Sequence, residues 1–250
     1  MKQALIDYTL HLADNSLILG QRNAEWCGHG PVLEQDIAIT NISLDLIGQA
    51  RNFYQYAATL IGNDATEDTL AYLRKEGEFK NCLLVEQPKG DWAQTILRQF
   101  FFSQYQHLLF QQLQNSKDEQ LAAITEKSLK EVTYHLRWSS EWVIRLGDGT
   151  EESHNRMLKA IAELWKYTGE IFEATSYELL VASEGTGVDV AKLKVGWLNK
   201  VKEVFSEATL TIPGKTSVPS GGKEGKHTEH LNHILNELQY MQRTYPGCDW

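Results

Sequence analysis

The sequence predicts an all-α protein built on a four-helix bundle with additional C-terminal helices. Apolar residues recur every three or four positions along almost the whole chain, which is the spacing of an amphipathic helix. The 250 residues include only five prolines, and most of these stand at breaks between helical stretches. A chain of this length can form one or two domains, and we predict a single domain over residues 1–250.

Composition and charge exclude several classes of function. No apolar run approaches the roughly 20 residues that cross a bilayer, and a net charge of −9 disfavours nucleic acid or an anionic membrane as a partner. The three cysteines are too widely spaced for a metal site or a disulfide framework. Because Asp7 stands where a signal peptide would continue its apolar stretch, we expect a cytoplasmic protein.

The apolar stripes end at turn signals that bound four long helices. The first stripe stops at Gly28, and the second stops at Gly62. The third helical stretch is apolar on more than one face, so it should lie centrally or against a partner. The predicted helices cover about residues 3–25, 33–61, 91–115 and 116–146.

The connection between the second and third helices favours a ferritin-like arrangement. Residues 63–90 are mixed in pattern, with a short helix expected near 66–75 and a long link after it. Ferritin-like bundles join their two helical hairpins by one long crossover of this kind. We therefore predict a ferritin-like four-helix bundle.

Further helices should follow the bundle. Ser153 is expected to cap a fifth helix that continues to a break at 185–187, and a sixth helix should cover 190–208. The segment 213–226 is rich in Gly, Ser, Pro and Lys, which predicts a mobile loop. A last helix is expected over 227–243.

One stretch comes close to a di-iron ligand motif. Carboxylate-bridged di-iron bundles take a Glu from each of two helices and a Glu-x-x-His pair from each of the other two. Here Glu131 is followed by His135 four residues later, and Tyr134 occupies the position that the motif gives to His. Because residues four apart on a helix can share one metal ion, this spacing alone does not exclude a site.

The remaining helices do not supply enough carboxylates for two iron ions. About four are needed to bridge the ions and balance their charge. The second helix offers Asp45 without a following His, and the first offers Glu25 near its end. The third has no Asp or Glu between Asp91 and Asp118. We therefore predict no catalytic residue, no metal site and no cofactor in this chain.

A histidine cluster near the C-terminus is a weaker metal candidate. His227, His230 and His233 have helical spacing, and Glu229 lies among them, so they could bind zinc loosely. No fourth fixed ligand accompanies them, and the cluster adjoins the expected loop. We interpret it as a solvated or interface face.

Polar residues on the bundle helices suggest that ion pairs, and not a metal site, occupy the interior. Buried charges need partners, because an unpaired one costs several kcal/mol. Our hypothesis is that Arg22 or Arg51 pairs with Asp45, Glu25 or Glu131 and fills a former metal cavity with ion pairs. The alternative is that these residues are solvated at the helix margins. The vestigial or structural polar network would comprise Arg22, Glu25, Asp45, Arg51, Glu131 and His135.

Several longer blocks resemble the C subunits of bacterial ring-1,2-phenylacetyl-CoA epoxidases. The likeness runs through nearly all of the chain, and the blocks are unusual in composition. They are Gly20-Gln21-Arg22 with residues 25–29, then residues 41–53, 83–88, 134–137, 221–223, 227–230 and 239–243.

The resemblance implies a ferritin-like fold and a place in aerobic phenylacetate degradation. In such enzymes a sister A subunit of similar fold carries the di-iron centre and binds phenylacetyl-CoA, while a reductase subunit delivers electrons from NADPH. The complex inserts one oxygen atom of O2 into the aromatic ring. The C subunit is expected to pair with the catalytic A subunit, within a complex of further epoxidase subunits, and to stabilise it without taking part in the chemistry.

The residues themselves leave an enzyme open as the alternative. It would be an atypical iron-dependent oxygenase that uses Glu25, Asp45, Glu131 and His135. A ferritin-like metal store is a third possibility, which the few inward acids disfavour. For a structural subunit, we expect the very apolar third helix to form the contact surface.

Overall fold

The computed structural model describes residues 1–214 and 216–248, and within these ranges it contains helices and turns but no strand. The predicted all-α fold is confirmed. No helix in the described part is long and apolar enough to cross a membrane. The α-helices are α1 (Lys2–Ala24), α2 (Leu33–Ile61), α3 (Glu67–Tyr72), α4 (Leu83–Glu86), α5 (Trp92–Leu113), α6 (Glu119–Gly147), α7 (Glu151–Leu164), α8 (Ser176–Ser183), α9 (Leu193–Glu207), α10 (Glu229–Leu238) and α11 (Tyr240–Thr244).

Two helical hairpins, α1–α2 and α5–α6, form the ferritin-like bundle. In the first hairpin Tyr54 donates a hydrogen bond to Asp14, while Gly20 lies against Leu46, so the two helices run antiparallel. In the second hairpin the ring of Trp92, at the start of α5, packs edge-on against that of Trp142, near the end of α6. The crossover 62–91 joins the hairpins and contains α3 and α4, as the sequence predicts.

Side chains cap the helices at their first turns. Asp91 accepts a hydrogen bond from the backbone N–H of Gln94, and the Gln94 side chain accepts one in return from the backbone of Asp91. Thr150 and Ser153 form the same reciprocal arrangement at the start of α7. Ser153 is therefore the third residue of this helix, and the expectation that it is the cap was wrong by three positions.

Helices α1 and α5 are the central helices of the molecule. Every residue from 8 to 20 of α1 and from 95 to 106 of α5 is buried. The α5 stretch includes Phe100, Phe101 and Phe102, which are covered by the protein's own helices because α6, α7 and α9 pack around α5. The expectation that α5 presents its apolar excess to a partner subunit is therefore wrong.

The predicted fifth helix is interrupted between α7 and α8. Residues 165–172 form two 3-10 turns, which place the Glu170 carboxylate in the interior. There it accepts hydrogen bonds from the backbone N–H groups of Leu83, Gly221 and Gly222 at 2.6, 2.8 and 2.7 Å. Burial raises the pKa of Glu170 although these three donors act in the opposite direction. The break allows Glu170 to accept hydrogen bonds from residues that are distant in sequence, so no local pattern predicts it.

The segment expected to be a mobile loop ends inside the protein. Gly222 and Lys223 are buried, and a Cβ on Gly222 would come within 2.6 Å of the carbonyl oxygen of Asn81. The Lys223 ammonium lies 3.0 and 3.1 Å from the two carboxylate oxygens of Glu178. Residues 221–226 therefore form a packed turn, and the prediction of a loop was wrong for this part of 213–226.

The Glu178–Lys223 pair attaches the C-terminal region to α1. Nε2 of His11 lies 3.8 Å from Oε1 of Glu178. Burial alone would raise the pKa of Glu178, but the charges of Lys223 and His11 outweigh it and hold the pKa below its usual value. The pair is thus ionised within the protein interior.

A second buried ion pair attaches the crossover to α1. Asp14 is fully buried and pairs with the guanidinium of Arg74, whose Nη1 lies 3.1 Å from Oδ2 of Asp14. The same carboxylate accepts hydrogen bonds from the hydroxyl of Tyr54 at 2.5 Å and from the backbone N–H of Lys80 at 2.8 Å. Because these donors occupy both oxygens, Asp14 fixes the position of the crossover.

A third pair, Glu86 with His227, attaches the start of the last helices. Nδ1 of His227 lies 2.8 Å from Oε2 of Glu86, and Nε2 lies 2.9 Å from the carbonyl oxygen of Phe79. Glu86 also accepts hydrogen bonds from Asn81 and Thr228. Both ring nitrogens face acceptors, so the imidazolium form fits this environment. Burial alone would lower the pKa of His227, but the Glu86 carboxylate and the Phe79 carbonyl oxygen outweigh burial and raise it.

The His227–Glu86 pair should make stability depend on pH. The folded-state pKa of His227 lies above its ordinary value of 6.5, so the contribution is complete below that value and is lost as the pH rises through the folded-state pKa. Replacing His227 by Gln leaves Glu86 buried without its cation, which should cost about 3–5 kcal/mol near pH 6. In urea unfolding the difference from wild type should shrink towards alkaline pH.

The exposed His233 provides the matched control for this measurement. His233→Gln should follow the wild-type stability at every pH. A deficit of His227→Gln that stays constant across the same pH range would show that His227 is not an imidazolium in the folded protein.

The Asp14–Arg74 pair should be among the most sensitive in the fold. Asp14→Asn leaves the Arg74 guanidinium in the interior without a counter-charge, so we expect a loss of about 3–5 kcal/mol in the free energy of unfolding at neutral pH. Glu67→Gln removes the partner of the exposed Arg51 and should change stability by about 1 kcal/mol or less. Urea unfolding of both variants checks the contrast, and equal losses would contradict it.

Candidate functional site

The centre of the bundle joins α2 to α6 through a histidine and a carboxylate. Nε2 of His135 lies 2.9 Å from Oδ2 of Asp45. The His135 side chain is fully buried, whereas that of Asp45 is 36% exposed at the outer edge of the pair. Nδ1 of His135 has no hydrogen-bond partner among the described residues. The pair lies where the sequence suggests ligands, but it brings only one carboxylate to the imidazole.

A chain of side-chain amides connects α5, α2 and α6 beside this pair. Nε2 of Gln106 donates to Oε1 of Gln49 at 3.0 Å, and Nε2 of Gln49 donates to Oε2 of Glu131 at 2.9 Å. We call Gln106, Gln49 and Glu131 the amide bridge. Glutamine both donates and accepts, so one side chain can link two helices. The bridge occupies Glu131, which the sequence singles out as a possible metal ligand.

Neutral side chains also connect α1 to α5. Nδ2 of Asn23 donates to Oε1 of Gln99 at 2.6 Å, and Nε2 of Gln99 donates to the hydroxyl of Ser103 at 2.8 Å. These side chains are buried. In a carboxylate-bridged bundle the ions balance the charges of the inward acids. Amides and hydroxyls carry no charge that such ions would have to balance.

Arg22 and Glu25 do pair, but away from the bundle centre. Nη1 of Arg22 lies 2.7 Å from Oε1 of Glu25 near the C-terminal end of α1. The same guanidinium donates to the backbone carbonyl of Glu86 at 3.2 and 3.0 Å and to that of His230 at 3.1 Å. The pair therefore connects α1 to the crossover and to α10. It does not bring Glu25 to Asp45 or His135.

Arg51 lies outside the interior network. Its side chain is 68% exposed, and Nε lies 3.4 Å from Oε1 of Glu67. Of the two arginines that the hypothesis offered as partners of the acids in the polar network, Arg22 forms such a pair, with Glu25, whereas Arg51 pairs with Glu67. The reason is its position on α2, because Arg51 follows the buried Ala50 by about 100° around the helix and faces outward.

These residues do not fit a di-iron centre. Among residues 1–214 and 216–248 no group of three or more His, Cys, Asp or Glu side chains lies close enough together to hold a metal ion. The C-terminal histidines do not assemble either, because the His227 side chain is buried against Glu86 while His233 is exposed. The interpretation of all three as a solvated or interface face was therefore wrong for His227.

The sequence contained one signal for the amide bridge. Gln106 lies on the third helix, where a metal-binding bundle needs a carboxylate, and Gln49 follows Asp45 by four residues, near the position of the missing His. A buried glutamine must find partners, but the sequence does not say which helix provides them. The connection of three helices through two amides emerges only from the packing.

Comparison with known proteins shows what the chain is similar to. The chain matches, over residues 1–250, the family described as "Phenylacetic acid catabolic protein". It is 50% identical over 246 residues to the C subunit of 1,2-phenylacetyl-CoA epoxidase from Escherichia coli (strain K12), a match that covers 98% of this chain and 99% of that protein. The resemblance expected from the sequence blocks is confirmed. The chain therefore belongs to the family of phenylacetic acid catabolic proteins.

Proposed function

We propose that this chain is a non-catalytic structural subunit of a multicomponent di-iron monooxygenase. The enzyme would epoxidise the aromatic ring of phenylacetyl-CoA in aerobic phenylacetate degradation. In the cytoplasm this chain would pair with the di-iron catalytic A subunit, stabilise it, and join the other epoxidase subunits. The 50% identity to the C subunit of such an epoxidase, over 98% of the chain, supports this place in the complex.

The amide bridge is the observation that carries the non-catalytic role. A di-iron centre needs about four carboxylates on the four inward helix faces, whereas here Gln49 and Gln106 bond to each other and to Glu131. Entry of iron would require breaking these bonds in a buried region, and the amides would not balance its charge. The bonds instead hold three helices together directly. This chain would then contribute a folded surface that binds the catalytic subunit, and no reacting group.

The alternative, an atypical iron-dependent oxygenase, has one feature in its favour. Nδ1 of the buried His135 has no hydrogen-bond partner among the described residues. The other residues of that hypothesis are engaged elsewhere, because Glu25 pairs with Arg22 and Glu131 accepts from Gln49. Asp45 alone accompanies His135. The structural role is the better supported of the two.

Iron analysis of the separate and combined subunits tests the proposal. The purified chain, loaded with ferrous iron under air and then desalted, should retain far less than one iron per chain. The A subunit treated alike should retain iron, and phenylacetyl-CoA epoxidation with the reductase and the remaining subunits should require both chains. Metal content by mass spectrometry and product by chromatography are the measurements.

The Glu131→Gln variant sharpens this test. It keeps the size of the side chain but removes the carboxylate that an iron site would need. Epoxidation per assembled complex should stay within about twofold of wild type, because the A subunit would hold every reacting group. Stoichiometric iron in this chain, lost together with activity in Glu131→Gln, would establish the oxygenase alternative instead.

A further inference from the structure

Among residues 1–214 and 216–248, few elements cover the outward side of the bundle helix α2. The additional helices α4, α8 and α10 pack on α1, and α7 and α9 pack on α5 and α6. Helix α2 packs mainly against α1 and to a smaller, similar extent against α6 and α3, and α3 lies beside Arg51 and Gln55, which contact its Glu67. The outward side of α2 therefore faces away from the protein.

Large apolar side chains line this outward side. Leu33, Ile37 and Leu44 are 72%, 52% and 61% exposed. Their spacing of four and seven residues places them along one line of the helix, opposite the buried Leu46. Gly48 continues the same line one turn beyond Leu44. We call Leu33, Ile37, Leu44 and Gly48 the α2 face.

Gly48 has no role inside this chain that explains a glycine. It lies in the middle of a 29-residue helix, where glycine is less favourable than alanine. A Cβ at this position would meet no heavy atom within 4 Å. Gly20 of α1 differs, because a Cβ there would come within 3.2 Å of Ile47 and within 3.3 Å of the carbonyl oxygen of Ser43. The described residues therefore leave room beside Gly48 for the close approach of a second molecule.

We propose that the α2 face docks a helix of the catalytic A subunit, with the closest approach of the two backbones at Gly48. The inference rests on the proposed function and adds the surface through which the pairing occurs. Apolar side chains on both sides of a glycine suit helix-on-helix packing, since the missing side chain lets the second helix approach.

The size of the surface favours a folded bundle as the occupant. Helix α2 is about 43 Å long at 1.5 Å per residue. Lys130 and Tyr134 of α6 are exposed on either side of Glu131, which bonds to α2, so the two helices together present a face roughly 800–900 Å2 in area. A stable complex buries about 800 Å2 on each partner, whereas a single peptide helix would cover about half of this face. A second copy of this chain is disfavoured because each copy carries a net charge of −9.

A glycine-to-alanine substitution should change thermal stability and binding affinity in opposite directions, which separates the two effects. Gly48→Ala should raise the melting temperature of the isolated chain by about 1–4 °C, because alanine favours the helix and its methyl group meets nothing. The same methyl group should weaken binding to the purified A subunit by about tenfold or more, because it keeps the helices apart. Calorimetric titration and thermal unfolding are the measurements.

Gly196→Ala in α9 is the matched control. Gly196 is also exposed within a helix, and a Cβ there would make only an ordinary contact of 3.5 Å with Leu108. This variant should gain thermal stability in the same way but bind the A subunit with wild-type affinity.

The possible outcomes distinguish the inference from the proposed function. If wild type binds and Gly48→Ala binds equally well, the α2 face is not the docking surface, while the structural role stands. A loss of affinity in Gly196→Ala alone would place docking on α9 and overturn the inference. If wild type does not bind the A subunit, the proposed function fails and the inference fails with it. Dimerisation of the isolated chain that Gly48→Ala abolishes would identify a second copy as the occupant and overturn the inference as well.

Discussion

The structure depends on satisfying the polar groups of a helix that is buried on every side. Helix α1 has no solvent-facing stripe between residues 8 and 20, yet it carries His11, Asp14 and Asn15 within that stretch. An unpaired charge in such a place costs several kcal/mol. Besides Tyr54 of α2, the partners come from the crossover, since Arg74 pairs with Asp14 and the backbone N–H of Cys82 donates to Asn15. Hydrogen bonds and ion pairs to the polar side chains of α1 therefore fix the position of the crossover.

Towards the bundle centre the same requirement is met with neutral groups. A metal-binding bundle keeps several carboxylates together because the ions balance their charge. Here direct hydrogen bonds between helices are formed by Gln49, Gln106 and Gln99. The carboxylate of the amide bridge, that of Glu131, accepts a hydrogen bond from the side-chain amide of Gln49. The bundle fold is thus compatible with an interior in which hydrogen-bonded amides link the helices.

The sequence predicts those parts of the fold that depend on local patterns. The bounds of α2 agree with the prediction because Pro31 and Gly62 mark its two ends, and the all-α fold follows from apolar periodicity. The break at 165–172 and the buried turn at 221–223 depend on Glu170 and Lys223 finding partners far away in the chain. For the candidate site, the sequence shows the shortage of acidic residues, but it does not predict the hydrogen bond between Gln49 and Gln106. The outward position of Arg51 follows from the helical pattern, because its neighbour Ala50 lies on the buried side of α2. The hypothesis considered the charge of Arg51 and not this pattern.

The amide bridge and the α2 face lie on the two sides of one helix, and their properties are connected. Gln49 holds α2 to α5 and α6 from within, so α2 has fixed neighbours although no further helix of the chain covers most of its outer side. A surface that is already ordered loses less conformational entropy when a partner binds than a flexible one does. Glycine is less favourable than alanine at position 48 of the helix, and the adjacent Gln49 is held by hydrogen bonds to α5 and α6. The same helix thus contributes Gln49 to the amide bridge in the interior and the α2 face to the surface, where we propose that a partner docks.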